Sequence, residues 1–267
     1  MSPIIIFGKE VLINQVAITI GNIEIYWYGI IIAISFLLSF YLLEKRTKKD
    51  EAFKIKFEDI FDYSFGGIIF GFICARIYYV LFRWEYYIKN PFEIIQIWNG
   101  GIAIYGGIIG AVLYGVYFCK KKNISFFNMA DLLIPYLALA QSLGRWGNFI
   151  NQEAYGSETT LPWKMGIYIE EIQNYIYVHP TFLYESILTF SIFIILINLS
   201  KKRSFEGQIF YLYMIAYGSG RALIEGLRTD SLMIANFRIS QVLSVIFVIS
   251  FSIIYYLKKK RRLKASK

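Results

Sequence analysis

Apolar residues run in long blocks separated by short polar turns. Seven of these blocks read as membrane-spanning helices, at 23–43, 62–82, 101–119, 129–143, 181–199, 207–227 and 239–257. A hydrocarbon core of roughly 30 Å calls for about 20 apolar residues per helix, and the chain has room for seven such spans. The fourth is the shortest and carries Pro135 and Gln141. Proline is tolerated in a membrane helix where neighbours re-satisfy the freed carbonyl. The pattern predicts an all-α integral membrane protein with seven transmembrane helices. It forms a single polytopic body over 1–267 with a structured outer loop at about 144–180, where Pro162, Trp163, Gly166 and Pro180 collect.

Lys and Arg fall on alternate turns. One block holds Lys45, Arg46, Lys48, Lys49, Lys54 and Lys56, a second Lys120, Lys121 and Lys122, a third Lys201, Lys202 and Arg203. The tail adds Lys258, Lys259, Lys260, Arg261, Arg262, Lys264 and Lys267. Basic residues favour the cytoplasmic side, so four agreeing turns predict a cytoplasmic C-terminus and an outside N-terminus. The segments 1–22, 83–100, 144–180 and 228–238 then face outward.

Composition sharpens this picture. Hydrophobic residues make up 57%, aromatics 19% and charged residues 18%, which excludes a disordered chain or a small disulfide scaffold. The net charge of +9 would point to nucleic acid in a soluble protein. Here it sits in turns that face anionic lipid. Cys74 and Cys119 lie inside apolar runs without a CxxC, and one histidine, His179, excludes a two-His zinc motif. No metal, cofactor, disulfide or cleaved signal peptide is expected. Tyr217-Gly218-Ser219-Gly220 lacks the glycine that an intramembrane serine nucleophile motif would need, and the seventh span has no lysine for a Schiff base.

A charge at the bilayer centre costs about 3 kcal/mol on insertion scales, so polar residues within the spans need a reason. With the orientation above, nearly all of them fall at outer-leaflet depth. They are Tyr28 at the start of span one, Arg76 in span two, Tyr105 among the glycines 100–110, Gln141 at the end of span four, His179 before span five, and Tyr217, Arg221, Glu225 and Arg228 along span six. The last four are spaced i, i+4, i+8 and i+11, which places them on one helical face. That stripe reads either as a polar functional seam or as an ion-pair network that locks packing. The stretch from Arg145 to Gly156 is denser, with Asn148, Asn151, Gln152 and Glu153 framed by Gly144, Gly147 and Gly156. A guanidinium fork and amides suit a phosphate, although a hydrated re-entrant turn would use the same residues. The glycine runs also fit small-xxx-small packing, and a lone His179 also fits an interfacial hydrogen-bonder.

Several separated motifs resemble the prolipoprotein diacylglyceryl transferase family. They are Trp27-Tyr28-Gly29, Arg76 with the Tyr78–Phe82 stretch, Asn99–Gly110, Asp131 with Pro135, Gly144-Arg145-Trp146-Gly147-Asn148-Phe149-Ile150-Asn151 through Gly156, His179 to Glu185, and Tyr217-Gly218-Ser219-Gly220-Arg221 with Glu225 and Arg228. They occur in the family's order and spread from 27 to 228. The resemblance implies a bacterial inner-membrane enzyme that moves the sn-1,2-diacylglyceryl group of phosphatidylglycerol onto the lipobox cysteine of a preprolipoprotein signal peptide, releasing glycerol-1-phosphate. It also implies catalytic roles for Arg145, Asn148, Glu153, Arg221, Glu225 and Tyr105. Substrate contacts fall to Arg145, Asn148, Asn151, Gly156, Tyr28, Arg76, His179, Tyr217 and Arg228. Glu153 and Glu225 are candidate bases, or they orient the arginines. Two positions depart from the family: Tyr105 stands where many members carry His, and Ser157 where Arg often follows the glycine. The other class of reading is an outer-leaflet lipid or small-anion transporter built on the same Arg-rich cavity. Such a transporter would present polar residues through both leaflets and show paired repeats; neither pattern is seen.

Overall fold

Four short strands between residues 2 and 26 precede the first helix. This computed structural model describes residues 2–49, 53–229, 233–234 and 237–265. Lys267 and the middle of 228–238 lie outside the described residues. The short strands are β1 (Ser2–Ile6), β2 (Lys9–Ile13), β3 (Val16–Ile20) and β4 (Ile23–Tyr26). Ile occurs in all four, with Val in β2 and β3, and β-branched side chains suit an extended backbone. Phe7 and Gly8, both at positive φ, turn β1 into β2, the geometry a tight hairpin requires. The all-α expectation is therefore corrected to a mostly helical fold with small sheets. Span one begins at Trp27 rather than at residue 23, because residues 23–26 pair with β3.

The helices are α1 (Trp27–Thr47), α2 (Phe57–Phe82), the short α3 (Trp84–Tyr87), α4 (Ile104–Lys121), α5 (Phe126–Asn151), α6 (Thr181–Ser200), α7 (Gln208–Glu225) and α8 (Ile239–Ala265). Each of the seven anticipated spans coincides with one of the longer helices. Five of these, α1, α2, α5, α6 and α8, are long and apolar enough to cross a membrane. α4 and α7 are shorter than these, at 18 residues each, and α4 ends on two lysines. One boundary differs in an informative way. α5 does not end at residue 143 but runs through the glycine-rich stretch to Asn151. The rest of the anticipated outer loop contains an antiparallel hairpin, β5 (Met165–Ile169) with β6 (Asn174–Val178).

The chain divides into two compact units, 1–45 with 130–267, and 46–129. In the first, β1 and β2 join β5 and β6 in one sheet of order β2-β1-β5-β6. Ile4, Met165, Ile167, Val178 and Phe182 bury its inner face. A second core of Ile134, Ala138, Ile192, Leu196, Ile209 and Tyr213 holds α5, α6 and α7 together. Asp131 on α5 is fully buried and accepts from the backbone N–H of Gly207 and of Phe210, at 2.8 Å each, and from Arg203 at 3.1 Å. Helix starts leave N–H groups without partners, and α7 has those groups satisfied by a carboxylate from a neighbouring helix. The second unit is α2 packed on α4 through glycines. A Cβ on Gly106 would lie 2.4 Å from Tyr78 Cβ, and one on Gly110 2.5 Å from Cys74 Cβ, so only glycine allows this approach. Of the two readings of those glycines, packing accounts for Gly106 and Gly110.

Candidate active site

Three arginines from two helices and the turn after one of them converge on a carboxylate supplied by a third helix. The α5–α6 crossing sets the positions. Ser142 Oγ donates to the carbonyl of Ser186 at 2.8 Å, and Ser186 Oγ to that of Ser142 at 2.9 Å. One turn beyond Ser142 stands Arg145, and one residue before Ser186 stands Glu185. Arg145 Nη2 meets Glu185 Oε2 at 2.5 Å. From α7, Arg221 Nη1 donates to Glu185 Oε1 at 2.7 Å. Arg228, just past the end of α7, reaches the same oxygen at 3.4 Å. Arg221 also pairs with Glu225, one turn along its own helix. Glu185 and Glu225 are each 2% exposed. The stripe anticipated on span six is thus real for Arg221, Glu225 and Arg228, with its charges turned toward α6. Tyr217 instead stacks on Tyr213 at 5.4 Å, and Tyr213 donates its hydroxyl to Gln141 Oε1 at 2.8 Å.

The Arg145 end of the cluster extends toward water. Arg145 Nη1 donates to Asn148 Oδ1 at 3.2 Å, and Asn148 Nδ2 donates to Glu153 Oε1 at 2.7 Å. Asn148 and Arg145 sit three residues apart on α5, so the helical reading of this stretch is what aligns them. Glu153 is exposed. Three guanidiniums therefore face two buried carboxylates, with the third carboxylate in a screened position. A buried cluster with surplus positive charge and forked donors is suited to an anion.

Several residues anticipated as ligand contacts also take part in the scaffold. A Cβ on Gly156 would lie 2.7 Å from His179 Cβ and 3.0 Å from the carbonyl oxygen of Leu227, so glycine is needed for close packing. Its N–H donates to the His179 carbonyl at 3.0 Å, and the Ser157 N–H donates to that of Leu227 at 2.6 Å. This lacing ties the end of α5 to the starts of α6 and of the Arg228 turn. The His179 imidazole lies 3.2 Å from Tyr184 Oη, which in turn accepts from Trp163 Nε1 at 2.8 Å. Tyr28 packs its ring where a Cβ on Gly147 would sit. The Asn151 carbonyl accepts from Gln15 Nε2 at 3.3 Å. Arg76 and Tyr105 belong to the second unit. Arg76 spends its donors on main-chain carbonyls of the 93–101 loop, and Tyr105 sits half-exposed on the first turn of α4.

Glu185 is the residue that pattern reading left without a role. It is the one charged residue in α6, and an unpaired carboxylate in so apolar a helix is a signal in itself. Among the described residues no group of three or more His, Cys, Asp or Glu is arranged to hold a metal ion.

Comparison with known proteins gives one consistent answer. The family model described as prolipoprotein diacylglyceryl transferase matches residues 15–257. A protein of Clostridioides difficile (strain 630) named phosphatidylglycerol–prolipoprotein diacylglyceryl transferase is 46% identical over 250 residues, covering 93% of this chain and 97% of the relative. Proteins of the same name from Staphylococcus aureus (strain MSSA476) and Bacillus cereus (strain 03BB102) are 46% and 41% identical. They cover 94% and 98% of this chain, and 90% and 98% of their own lengths.

Proposed function

The chain belongs to the prolipoprotein diacylglyceryl transferase family, and from that membership we propose that it transfers the sn-1,2-diacylglyceryl group of phosphatidylglycerol to the lipobox cysteine of preprolipoproteins. The single observation that carries the site assignment is the convergence of Arg145, Arg221 and Arg228 on Glu185. The transporter reading has no comparable support, since the relatives are named as transferases.

In the proposed step the cysteine sulfur attacks the glyceryl carbon that bears the phosphate. A C–S bond forms as the C–O bond breaks, the electron pair leaves with the phosphate oxygen, and the thiol proton is taken by a base. Negative charge grows on glycerol-1-phosphate, and fixed donors aimed at that charge lower the barrier. Arg145 and Asn148 supply such donors, with Arg221 and Arg228 setting the local field. A thiol of pKa about 8.5 is mostly protonated at neutral pH, so a base or nearby cations must raise the thiolate fraction. Of the two carboxylates considered, Glu225 is buried and engaged by Arg221, whereas Glu153 is exposed and held by one neutral amide. The geometry favours Glu153 as base and Glu225 as a holder of Arg221. The direct test is incubation of the purified chain with phosphatidylglycerol and a lipobox peptide. A diacylglyceryl mass gain on the peptide is expected, and its absence would remove the proposal.

Tyr105 is proposed as a hydrogen-bond donor to the head group. A phenol of pKa about 10 is a poor base at pH 7. Tyr105→Phe should lower turnover about tenfold, the scale of one neutral hydrogen bond, and Tyr105→His should stay active because imidazole also donates. Total loss in Tyr105→Phe, together with a wild-type turnover that keeps rising with pH into the range where a phenol ionises, would instead make Tyr105 the base.

The membrane placement is also proposed: a bacterial inner membrane, seven spans, N-terminus outside, reaction at the outer leaflet. It rests on the alternating basic turns. Cysteines introduced beside Lys121 and after Lys258 should resist a membrane-impermeant thiol reagent in intact cells. Ready labelling of either would reverse the orientation.

A further inference from the structure

Of the three guanidiniums on Glu185, that of Arg228 is the one no helix carries. Arg228 stands past the end of α7 and reaches Glu185 Oε1 at 3.4 Å, so its aim depends on the turn 226–228. That turn is gripped from outside at three successive carbonyls. Arg238, immediately before α8, donates Nη1 to the Gly226 carbonyl at 2.6 Å and Nη2 to the Arg228 carbonyl at 3.1 Å. Between them, the Leu227 carbonyl accepts from the Ser157 N–H at 2.6 Å. Within the turn, the N–H groups of Gly226, Leu227 and Arg228 donate to the carbonyls of Leu223, Ile224 and Glu225, at 3.2, 2.9 and 3.2 Å.

The grip is anchored to a helix. Gln241, in the first turn of α8, donates Nε2 to the Ala222 carbonyl of α7 at 2.9 Å. A Cβ on Gly226 would lie 3.7 Å from Gln241 Nε2 and 4.0 Å from Arg238 Nη1, so both donors close over the same turn. Further back, a Cβ on Gly218 would lie 2.9 Å from Val248 Cγ2, which places α7 and α8 in close contact. Carbonyls at a helix C-terminus form its negative pole, where a guanidinium is favoured. Among the described residues no carboxylate is ion-paired to Arg238, and its Nε is buried without a hydrogen-bond partner. A planar fork reaches two carbonyls at once, which a single ammonium does not reproduce.

We propose that Arg238 is a positioning residue for the transfer reaction and acts through Arg228. It holds the main chain on both sides of Leu227, so that the Arg228 guanidinium stays on Glu185. Among the described residues it makes no bond to Glu185, Glu225, Arg145 or Arg221, so its influence on the site passes through the turn. The inference rests on the transfer reading for its rate readout, not for its geometry.

The test uses the purified full-length chain with phosphatidylglycerol and a lipobox peptide. Arg238→Ala should lower kcat about tenfold with KM little changed, a smaller loss than the roughly hundredfold that a 1 Å misplacement of a reacting group brings. The decisive arm is a cycle with Arg228→Ala, read with enzyme in excess over peptide so that slow variants remain measurable. Once the Arg228 side chain is gone, adding Arg238→Ala should cost no further rate. Losses that multiply would show that Arg238 acts independently of Arg228 and would overturn the proposal, as would an unchanged kcat in Arg238→Ala. Arg238→Lys keeps the charge without the fork and runs through the same cycle with the same outcomes, so a poorly folded alanine variant does not decide the question. A second arm needs no turnover. Hydrogen exchange at the amides of 226–228 should speed up about tenfold in Arg238→Ala, the scale of one hydrogen bond from a charged group. Transfer by the unmutated chain, with exchange unchanged in Arg238→Ala, overturns this inference and leaves the transfer reading intact. Absence of transfer by the unmutated chain removes that reading, and the exchange arm alone then decides whether Arg238 holds the turn.

Discussion

Replacing Glu185 with Gln is expected to lower turnover about a hundredfold while the protein still assembles in the membrane. Glutamine keeps the shape of the side chain and one carbonyl acceptor but loses the charge that attracts three guanidiniums. Arg145 and Arg221 approach different oxygens of this carboxylate, at 2.5 and 2.7 Å. An amide leaves the oxygen on one side and turns an NH₂ toward the arginine on the other. A reacting group misplaced by about 1 Å costs on the order of 10² in rate. The loss should appear mainly in kcat, because the cations remain present to attract lipid even when they are wrongly aimed. Glu185→Asp keeps the charge on a shorter stem and should recover part of the rate. Glu185→Ala goes further, since removing one member of a buried ion cluster costs about 3–5 kcal/mol. Reduced yield is expected there. Wild-type kcat in Glu185→Gln would show that the arginines are held by something else.

How far such a residue can be read from sequence depends on what its role requires. The helices were legible because each apolar block answers to one length requirement, and all seven blocks became helices. Arg221, Glu225 and Arg228 were legible as a stripe because helical spacing alone puts them on one face. Glu185 carries its signal singly, as the lone charge in α6, and spacing says nothing about which arginines will meet it. The α5–α6 crossing through Ser142 and Ser186 decides that, and no periodicity announces it.

Glycine has two uses, and a sequence alone does not choose between them. Gly144 and Gly147 looked like a break in the fourth span, yet Gly147 serves to admit the Tyr28 ring and the helix continues. Gly156, anticipated as a ligand contact, also admits the protein's own His179 and Leu227. Arg76 shows the same limit for a charged side chain. Its partners are four main-chain carbonyls of an irregular loop, and carbonyls are present at every position of any sequence. The N-terminal strands were hidden for a different reason. Residues 23–26 merge with the first long apolar block when hydropathy is averaged, whereas the turns at Gly8 and Gly21 mark hairpins.

Arg145→Ala and Asn148→Ala should each lower transfer by about 10²–10³, the usual loss when one oriented donor to developing charge is removed. The fold should survive both changes. Without Arg145, Glu185 keeps Arg221 and Arg228, and Arg145 is the most exposed of the three guanidiniums. Without Asn148, Arg145 keeps its pairing with Glu185 but loses the amide that fixes its second nitrogen, and Glu153 loses its one amide contact. The two variants should therefore differ in their pH–rate profiles. If Glu153 takes the thiol proton, Asn148→Ala shifts the acidic limb and Arg145→Ala leaves it in place. Arg145→Lys is an informative companion. A guanidinium touches Glu185 with one nitrogen and Asn148 with the other, and a single ammonium cannot span both. Arg145→Lys should thus behave like Arg145→Ala in kcat while keeping lipid affinity. Full turnover in Arg145→Lys would mean that charge alone matters at this position. Full turnover in both alanine variants would take the phosphate away from this end of the cluster.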